Sequence, residues 1–144
     1  MKFFKFFVSA ILIVLFVSSC KDHTVKIKAD PKALAAGERG AITIKLKAHG
    51  KWHFTEDTVV IIKVNAPPGL KFDKEELKDA GLYFDKEPTD KYIDDVNTYI
   101  AKYTVDPGAK KGEATIGFDM MFSICSEDLC RRIMEKHEAK VTIE

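Results

Sequence analysis

Hydrophobic and polar residues alternate in short segments along most of the chain after residue 24. Apolar residues occupy every second position in VKIKA, AITIKLKA, NTYIAKYTV, EATIGFDMMFSIC and AKVTI, and TVVIIKVNA is more continuously apolar. These segments are residues 25–29, 41–48, 97–105, 113–125, 139–143 and 58–66. A period of two places one face of a strand on a core and the other in water, and a continuous β-branched run is typical of a central strand. The pattern therefore predicts six or so strands.

Turn-forming residues separate these segments. PPG at 67–69 and DPG at 106–108 end the strands before them, because proline lacks an amide donor and glycine permits a turn. Only DKEELKDAG (73–81) has a helical pattern. Short strands separated by turns predict one all-β domain over residues 25–144, folded as an antiparallel β-sandwich.

The beginning of the chain has the layout of a secretory signal. Lys2 and Lys5 supply a positive start, and an apolar run covers residues 6–17. A membrane-spanning helix needs roughly 20 apolar residues, so this shorter run favours a signal peptide. An uncleaved anchor is the alternative.

The end of that run, VSSC (17–20), resembles the lipobox of bacterial lipoproteins. In that family the cysteine after the cleavage site receives lipid and becomes the first mature residue. The resemblance implies a signal peptide over 1–19, a lipidated Cys20 and a tether over 20–24. It places the protein in the bacterial cell envelope, lipid-anchored and facing the periplasm, and Lys21 slightly favours the outer membrane.

Charge excludes one class of partner. The whole chain has 23 basic and 22 acidic residues, and loss of Lys2 and Lys5 with the signal leaves 21 basic residues, a net charge of −1. No basic block stands out, so nucleic acid is not expected as a partner. Disulfides persist in an oxidising envelope compartment. If Cys20 is lipidated, the two remaining thiols, Cys125 and Cys130, are left to each other.

The sequence SEDL between these two cysteines is rich in turn formers, which predicts a hairpin that brings Cys125 opposite Cys130. Opposed residues of an antiparallel pair are close enough for a disulfide. So short a loop stabilises the fold by only about 2 kcal/mol, and spacing alone leaves a redox pair and a structural bridge equally open. Arg131 and Arg132 would favour a thiolate at Cys130 if their guanidinium groups reach it, but solvation or pairing with the loop acids is the alternative.

A soft-metal site is a further alternative. Cys125, Cys130 and His137, together with Met121, offer ligands that suit copper or zinc. Met120 is expected in the core, whereas Met121 falls on the other face with Cys125. Two cysteines in an oxidising space usually pair with each other, so no metal or other cofactor is expected.

Three motifs, in order, resemble one family. The ending GEATIGFDMMFSICSEDLCRRIMEKHEAKVTI is similar to the final hairpin of the N-terminal domain of the thiol:disulfide interchange protein DsbD. AHGKWHFTEDT and VNAPPGLKF resemble two upstream segments of that domain. The similarity covers most of residues 25–144 and implies an immunoglobulin-like periplasmic module with a C-terminal cysteine-bearing hairpin.

The resemblance also implies a function, in which the hairpin cysteines take electrons from a membrane donor and pass them to thioredoxin-like or disulfide-isomerase-type proteins. Cys125 matches the first family cysteine, and Cys130 matches the one that forms mixed disulfides. A cap loop shields the pair between encounters. Its position after the PPGL turn points to Leu82, Tyr83, Phe84 and Asp85.

The chain also departs from the family pattern. The loop between the cysteines has four residues, one fewer than in the best-known members, and RRIM (131–134) replaces an aromatic residue and prolines. The family protein continues into a transmembrane and a thioredoxin domain, so a separate membrane protein is expected as the electron donor. A non-catalytic binding or structural lipoprotein with a structural disulfide is the alternative function.

Overall fold

The structure, a computed structural model, describes residues 21–55, 59–80 and 96–144, without the side chains of 78–80. All regular elements within these ranges are strands. They are β1 (His23–Ala29), β2 (Arg39–Ala48), β3 (Val59–Asn65), β4 (Leu70–Phe72), β5 (Glu76–Ala80), β6 (Val96–Val105), β7 (Gly112–Cys125) and β8 (Cys130–Ile143). In the described part of the chain, no helix is long and apolar enough to cross a membrane.

The strands form two antiparallel sheets of four, in the orders β1-β2-β6-β4 and β5-β3-β7-β8. In an immunoglobulin fold, strands A-B-E-D form one sheet and C-F-G the other. The first order matches A-B-E-D, and β3-β7-β8 matches C-F-G with β5 added beside the C position. The chain is therefore an immunoglobulin-like antiparallel β-sandwich, which confirms the predicted fold class.

The core lies between the sheets and is built by the predicted alternation. Every second residue of β6 is buried, as is every second residue of β7 from Ile116 to Ile124. The largest fully buried side chains include Tyr103, Phe54, Phe118 and Phe122. Full burial of a large apolar side chain stabilises the folded state by about 1.5–3 kcal/mol. The faces predicted from the sequence are confirmed.

The turn between β3 and β4 shows why PPG ends a strand. Gly69 has a φ of 93°, a value that glycine tolerates and other residues rarely adopt. The Leu70 amide donates to the Pro67 carbonyl at 3.3 Å, which closes a turn with Pro68 and Gly69 at its centre. Proline before glycine at these positions is typical of a type II turn.

The helical expectation for 73–81 is wrong. Residues Glu76–Ala80 form β5, which pairs antiparallel with β3. Leu77 lies opposite Ile62 and packs against the core while partly exposed. The unpaired edge of β3 supplies a ladder of backbone partners, and such tertiary pairing overrides the weak local preference for a helix.

The last strand is also longer than its alternation suggested. The sequence predicted an extended segment that returns after Cys130 and an alternating strand over 139–143. In the structure both belong to β8, which begins at Cys130 and pairs with β7 at 14 positions. β8 lies at the edge of its sheet, and no residue in its first half is fully buried. Apolar and polar residues therefore alternate only weakly there. The consequence is a long two-stranded ribbon whose turn carries the cysteines.

Candidate functional site

Cys125 and Cys130 are directly opposite each other at the tip of the β7–β8 ribbon, and they form a disulfide. The S–S distance is 2.06 Å and the Cα atoms are 4.0 Å apart. The Ser126 amide donates to the Leu129 carbonyl at 2.8 Å. Ser126 and Leu129 are therefore the hydrogen-bonded pair that closes the turn. The next pair along an antiparallel ladder is then a non-hydrogen-bonded one, in which side chains approach most closely. The predicted hairpin and its opposed cysteines are confirmed.

The turn itself is held by Ser126. Its hydroxyl oxygen accepts from the amides of Asp128 and Leu129, each at 3.3 Å. Serine favours turns because its side chain bonds to nearby backbone groups in this way. Glu127 and Asp128 form the exposed tip.

The two cysteines differ in exposure. Cys125 is only 6% exposed, whereas Cys130 is exposed. The backbone of Cys125 pairs with His53 on the side of β7 away from β8, with N–O distances of 2.9 and 3.0 Å. Of the two residues, Cys130 is therefore the one that is more accessible from outside the domain.

A shallow depression of 340 Å³ adjoins the disulfide. The segment from Gly50 to His53 forms one wall, and the turn from Ser126 to Asp128 forms the other. Both walls end next to Cys125. His53 pairs with the backbone of Cys125, and Ser126 follows Cys125 in the chain. Neither cysteine lines the depression itself.

The arginines after Cys130 have different surroundings. Arg131 lies opposite Ile124 on the core-side face of β8, away from the disulfide. Its guanidinium donates to the Asp22 carboxylate and lies 5.4 Å from the centroid of the Trp52 ring. Arg132 lies opposite Ser123, on the same face of β8 as Cys130. Alternate residues of a strand are about 7 Å apart, so of the two only Arg132 is positioned to influence a Cys130 thiolate.

A cluster of two histidines and a carboxylate lies further along β8 and was missed by sequence reasoning. Glu135 accepts hydrogen bonds from Nε2 of His23 at 2.5 Å and from Nε2 of His137 at 2.7 Å. His23 also contacts Phe122 edge to face, at 5.5 Å between ring centroids. Alternation places Glu135 and His137 on one face of β8, but nothing local indicates that His23 joins them.

Replacement of Glu135 by glutamine should weaken the fold at neutral pH but not in acid. Burial raises the pKa of Glu135, but the hydrogen bonds and charges of His137 and His23 outweigh burial and leave that pKa below its ordinary value of 4.5. A lowered carboxyl pKa stabilises the folded state above the unfolded-state pKa, and this contribution is lost as pH falls through the folded-state pKa. We expect Glu135→Gln to lower the free energy of unfolding by about 0.5–1 kcal/mol at about pH 7.

Urea unfolding of both proteins measures this difference, which should shrink as pH falls below 4.5 and through the lowered folded-state pKa, because the carboxyl is then protonated in both states. Glu138→Gln, an exposed position of the same strand, is the control and should change little at either pH. An equal loss for Glu135→Gln at both pH values would contradict a role for its charge.

The residues of the soft-metal alternative are not brought together. His137 is seven positions from Cys130, about 24 Å along β8, and on the opposite face. Met121 is four positions from Cys125, about 14 Å along β7. Among the residues that the structure describes, no group of three or more His, Cys, Asp or Glu side chains could hold a metal ion.

Two predicted features lie outside the described residues. The signal segment 1–19 with Cys20 is one, and the cap loop is the other. The cap-loop residues are Leu82, Tyr83, Phe84 and Asp85. Their roles stay predictions.

No family model matches the chain, and no curated protein matches it in sequence. Solved structures of similar fold include a chain of a type I cohesin–dockerin complex from Clostridium thermocellum, 16% identical with a TM-score of 0.47, covering 84% of this chain and 99% of that chain. A conjugative transposon lipoprotein from Bacteroides eggerthii is 18% identical with a TM-score of 0.39, covering 83% and 96%. A PapD-like domain of human CEP192 is 10% identical with a TM-score of 0.40, covering 83% and 86%. Likenesses at this level carry no inference about function.

Proposed function

We propose that this protein is a lipid-anchored thiol–disulfide exchange module of the bacterial envelope, which takes electrons from a membrane donor and passes them to thioredoxin-like or isomerase-type proteins. The observation that carries the proposal is the difference between the two sulfurs. The exposed Cys130 and the buried Cys125 are joined at the tip of a ribbon. Exchange requires one sulfur that a visitor can reach and a second that can resolve the mixed species.

The exchange cycle balances without a cofactor. A donor thiolate attacks the Cys130 sulfur, the Cys125–Cys130 bond breaks, and Cys125 leaves as a thiolate that takes up a proton. A second donor thiolate then attacks the donor sulfur of the mixed disulfide and releases Cys130 as a thiolate. The donor is oxidised to a disulfide, and this protein is reduced by two electrons. The Cys130 thiolate next attacks a partner disulfide, and Cys125 resolves that adduct and restores the bridge.

The small stabilising effect of the bridge supports this reading. The β7–β8 ribbon is already paired over 14 positions and packed against a core, so its ends need no covalent link. Closing the short loop contributes only about 2 kcal/mol. Stabilisation alone therefore gives little reason for this bridge, whereas thiol–disulfide exchange requires it.

A non-catalytic binding lipoprotein is the second candidate, and one surface favours it. Met134 is 75% exposed, and it lies opposite Met121 on the outer face of the second sheet. With Ile61 these methionines line a depression of 480 Å³. Exposed methionines are common on binding surfaces because the side chain is flexible and polarisable.

Trapping of a covalent partner tests the exchange function. Cys125→Ser leaves the exposed Cys130 without its resolving partner, so a mixed disulfide with the natural partner should accumulate in envelope fractions. The adduct should disappear on reduction and should contain a thioredoxin-like, isomerase-type or membrane thiol protein.

The matched control is Cys130→Ser, which leaves only the buried Cys125 and should trap little. Absence of any adduct for Cys125→Ser under both oxidising and reducing growth would favour the binding lipoprotein. Adducts of equal amount from both variants would contradict the assigned roles of the two sulfurs.

A further inference from the structure

The chain enters the domain beside the disulfide. Arg131, the residue after Cys130, donates to the carboxylate of Asp22. The carbonyl of Asp22 accepts from the His49 amide at 2.8 Å, and the next residue, His23, bonds to Glu135 at 2.5 Å. Three contacts from two consecutive residues thus hold the entering chain on the sandwich. Two of these contacts, to Arg131 and Glu135, are made with the first half of β8.

The same arginine connects the entering chain to the wall of the disulfide site. Its guanidinium lies 5.4 Å from the centroid of the Trp52 ring, which is 8% exposed. Trp52 precedes His53, whose backbone pairs with Cys125. Asp22, Arg131 and Trp52 therefore form one connected group at the end of the sandwich that carries the disulfide.

Covalent geometry then limits where the anchor can be. Cys20 stands two residues before Asp22, and two residues span at most about 7 Å. The opposite end of the sandwich is marked by the pairing of Gly112 with Ile143, 13 positions from Cys130 and about 44 Å away along β8. A lipid on Cys20 would thus attach beside the disulfide and far from the opposite end.

We propose that the disulfide-bearing end of the domain faces the bilayer, so that exchange at Cys130 takes place at the membrane surface. The proposal rests on the exchange function and on a lipid at Cys20. A long flexible tether would let the domain turn its ribbon towards soluble proteins. Here only Lys21 separates the expected lipidated residue from the first clamped residue, and this short link keeps the disulfide at the bilayer.

Energy transfer to the membrane tests the orientation. The full lipidated protein is reconstituted in phosphatidylethanolamine and phosphatidylglycerol vesicles that contain a headgroup-labelled acceptor lipid. In Cys125→Ser a donor dye is placed on Cys130. In the control, Cys125→Ser and Cys130→Ser are combined with Gly108→Cys at the far end of the sandwich, where an added side chain meets nothing within 4 Å.

We expect energy transfer from the Cys130 label to be roughly threefold or more greater than from the Gly108→Cys label, because the two ends of β8 lie about 44 Å apart and Gly108 belongs to the far end. Equal transfer from both labels, or greater transfer from the far end, overturns the orientation. Mass spectrometry of the mature N-terminus that finds no lipid on Cys20 overturns it as well. Insertion of a 12-residue glycine–serine linker after Lys21 should remove most of the difference, and a difference unaffected by the linker would contradict the short-link argument.

The identity of the trapped partner tests whether exchange takes place at the membrane surface. The Cys125→Ser adduct should contain a membrane-spanning protein, and the amount of this adduct should fall with the inserted linker. Adducts with soluble envelope proteins alone overturn exchange at the membrane surface but leave the exchange function standing. Absence of any adduct removes the exchange function and with it exchange at the membrane surface, while energy transfer still reports the orientation independently.

Discussion

Replacing Phe122 with alanine is expected to lower the free energy of unfolding by about 3–5 kcal/mol, the usual cost of truncating a large buried aromatic side chain. Phe122 is 1% exposed and packs near Phe54, with 6.1 Å between ring centroids. It also contacts His23, so its loss leaves a cavity between the core and the clamped start of β1. Urea or guanidinium unfolding gives the value, and the single tryptophan of the chain, Trp52, is a built-in fluorescence probe.

The matched control is Met134→Ala. Met134 is on the neighbouring strand, next to the residue opposite Phe122, but it is 75% exposed on the outer face. Surface substitutions of this kind usually change stability by no more than about 0.5 kcal/mol. A cost below about 1 kcal/mol for Phe122→Ala would show that the side chain is not packed in the core as described.

In the reduced protein, Cys130 is expected to be alkylated about 5- to 150-fold faster than Cys125. Cys125 is 6% exposed, and we expect reagent to reach it when its two backbone hydrogen bonds to His53 open. Each such bond contributes about 0.5–1.5 kcal/mol, so opening both costs about 1–3 kcal/mol, which sets this range of rates. Short pulses of iodoacetamide followed by quantitative peptide mapping measure the two rates in the same sample.

Denaturant supplies the control for the thiol experiment. In the unfolded chain both cysteines are open to reagent, so the two rates should become similar. His53→Pro offers a second comparison, because proline lacks the amide that donates to the Cys125 carbonyl and should speed alkylation of Cys125. Equal rates in the folded, reduced protein would contradict the proposed division into an attacking and a resolving sulfur.

Local pattern predicted much of the sandwich because burial between two sheets imposes a period of two on each strand. The segment 73–81 failed this approach, since its spacing suits a helix while the open edge of β3 supplies backbone partners for a strand. The start of β8 was expected as the returning arm of the hairpin, but its full length was not predicted. Its residues lie at an edge, where few side chains are buried and the alternation of apolar residues is weak.

In the cysteine site, too, the features that depend on local sequence were predicted, and those that depend on distant contacts were not. Opposition of Cys125 and Cys130 followed from a strand, a four-residue turn and a returning strand, all local in the sequence. The proposed influence of Arg131 on the thiolate depended on where its side chain points. Register with Ile124 turns it towards Asp22 and Trp52 instead, whereas Arg132 lies on the same face of β8 as Cys130.

By itself the sequence determined which residues face the core, where the chain turns and which two thiols meet, because each depends on neighbours a few positions away. Only the tertiary structure decided that Cys125 is buried and Cys130 exposed, and that His53 pairs with the backbone of Cys125 from a distant segment. It also decided that the chain enters beside the disulfide, through an Asp22–Arg131 contact between residues 109 positions apart. No short-range pattern specifies such contacts, because they form only when separate strands pack into one sandwich.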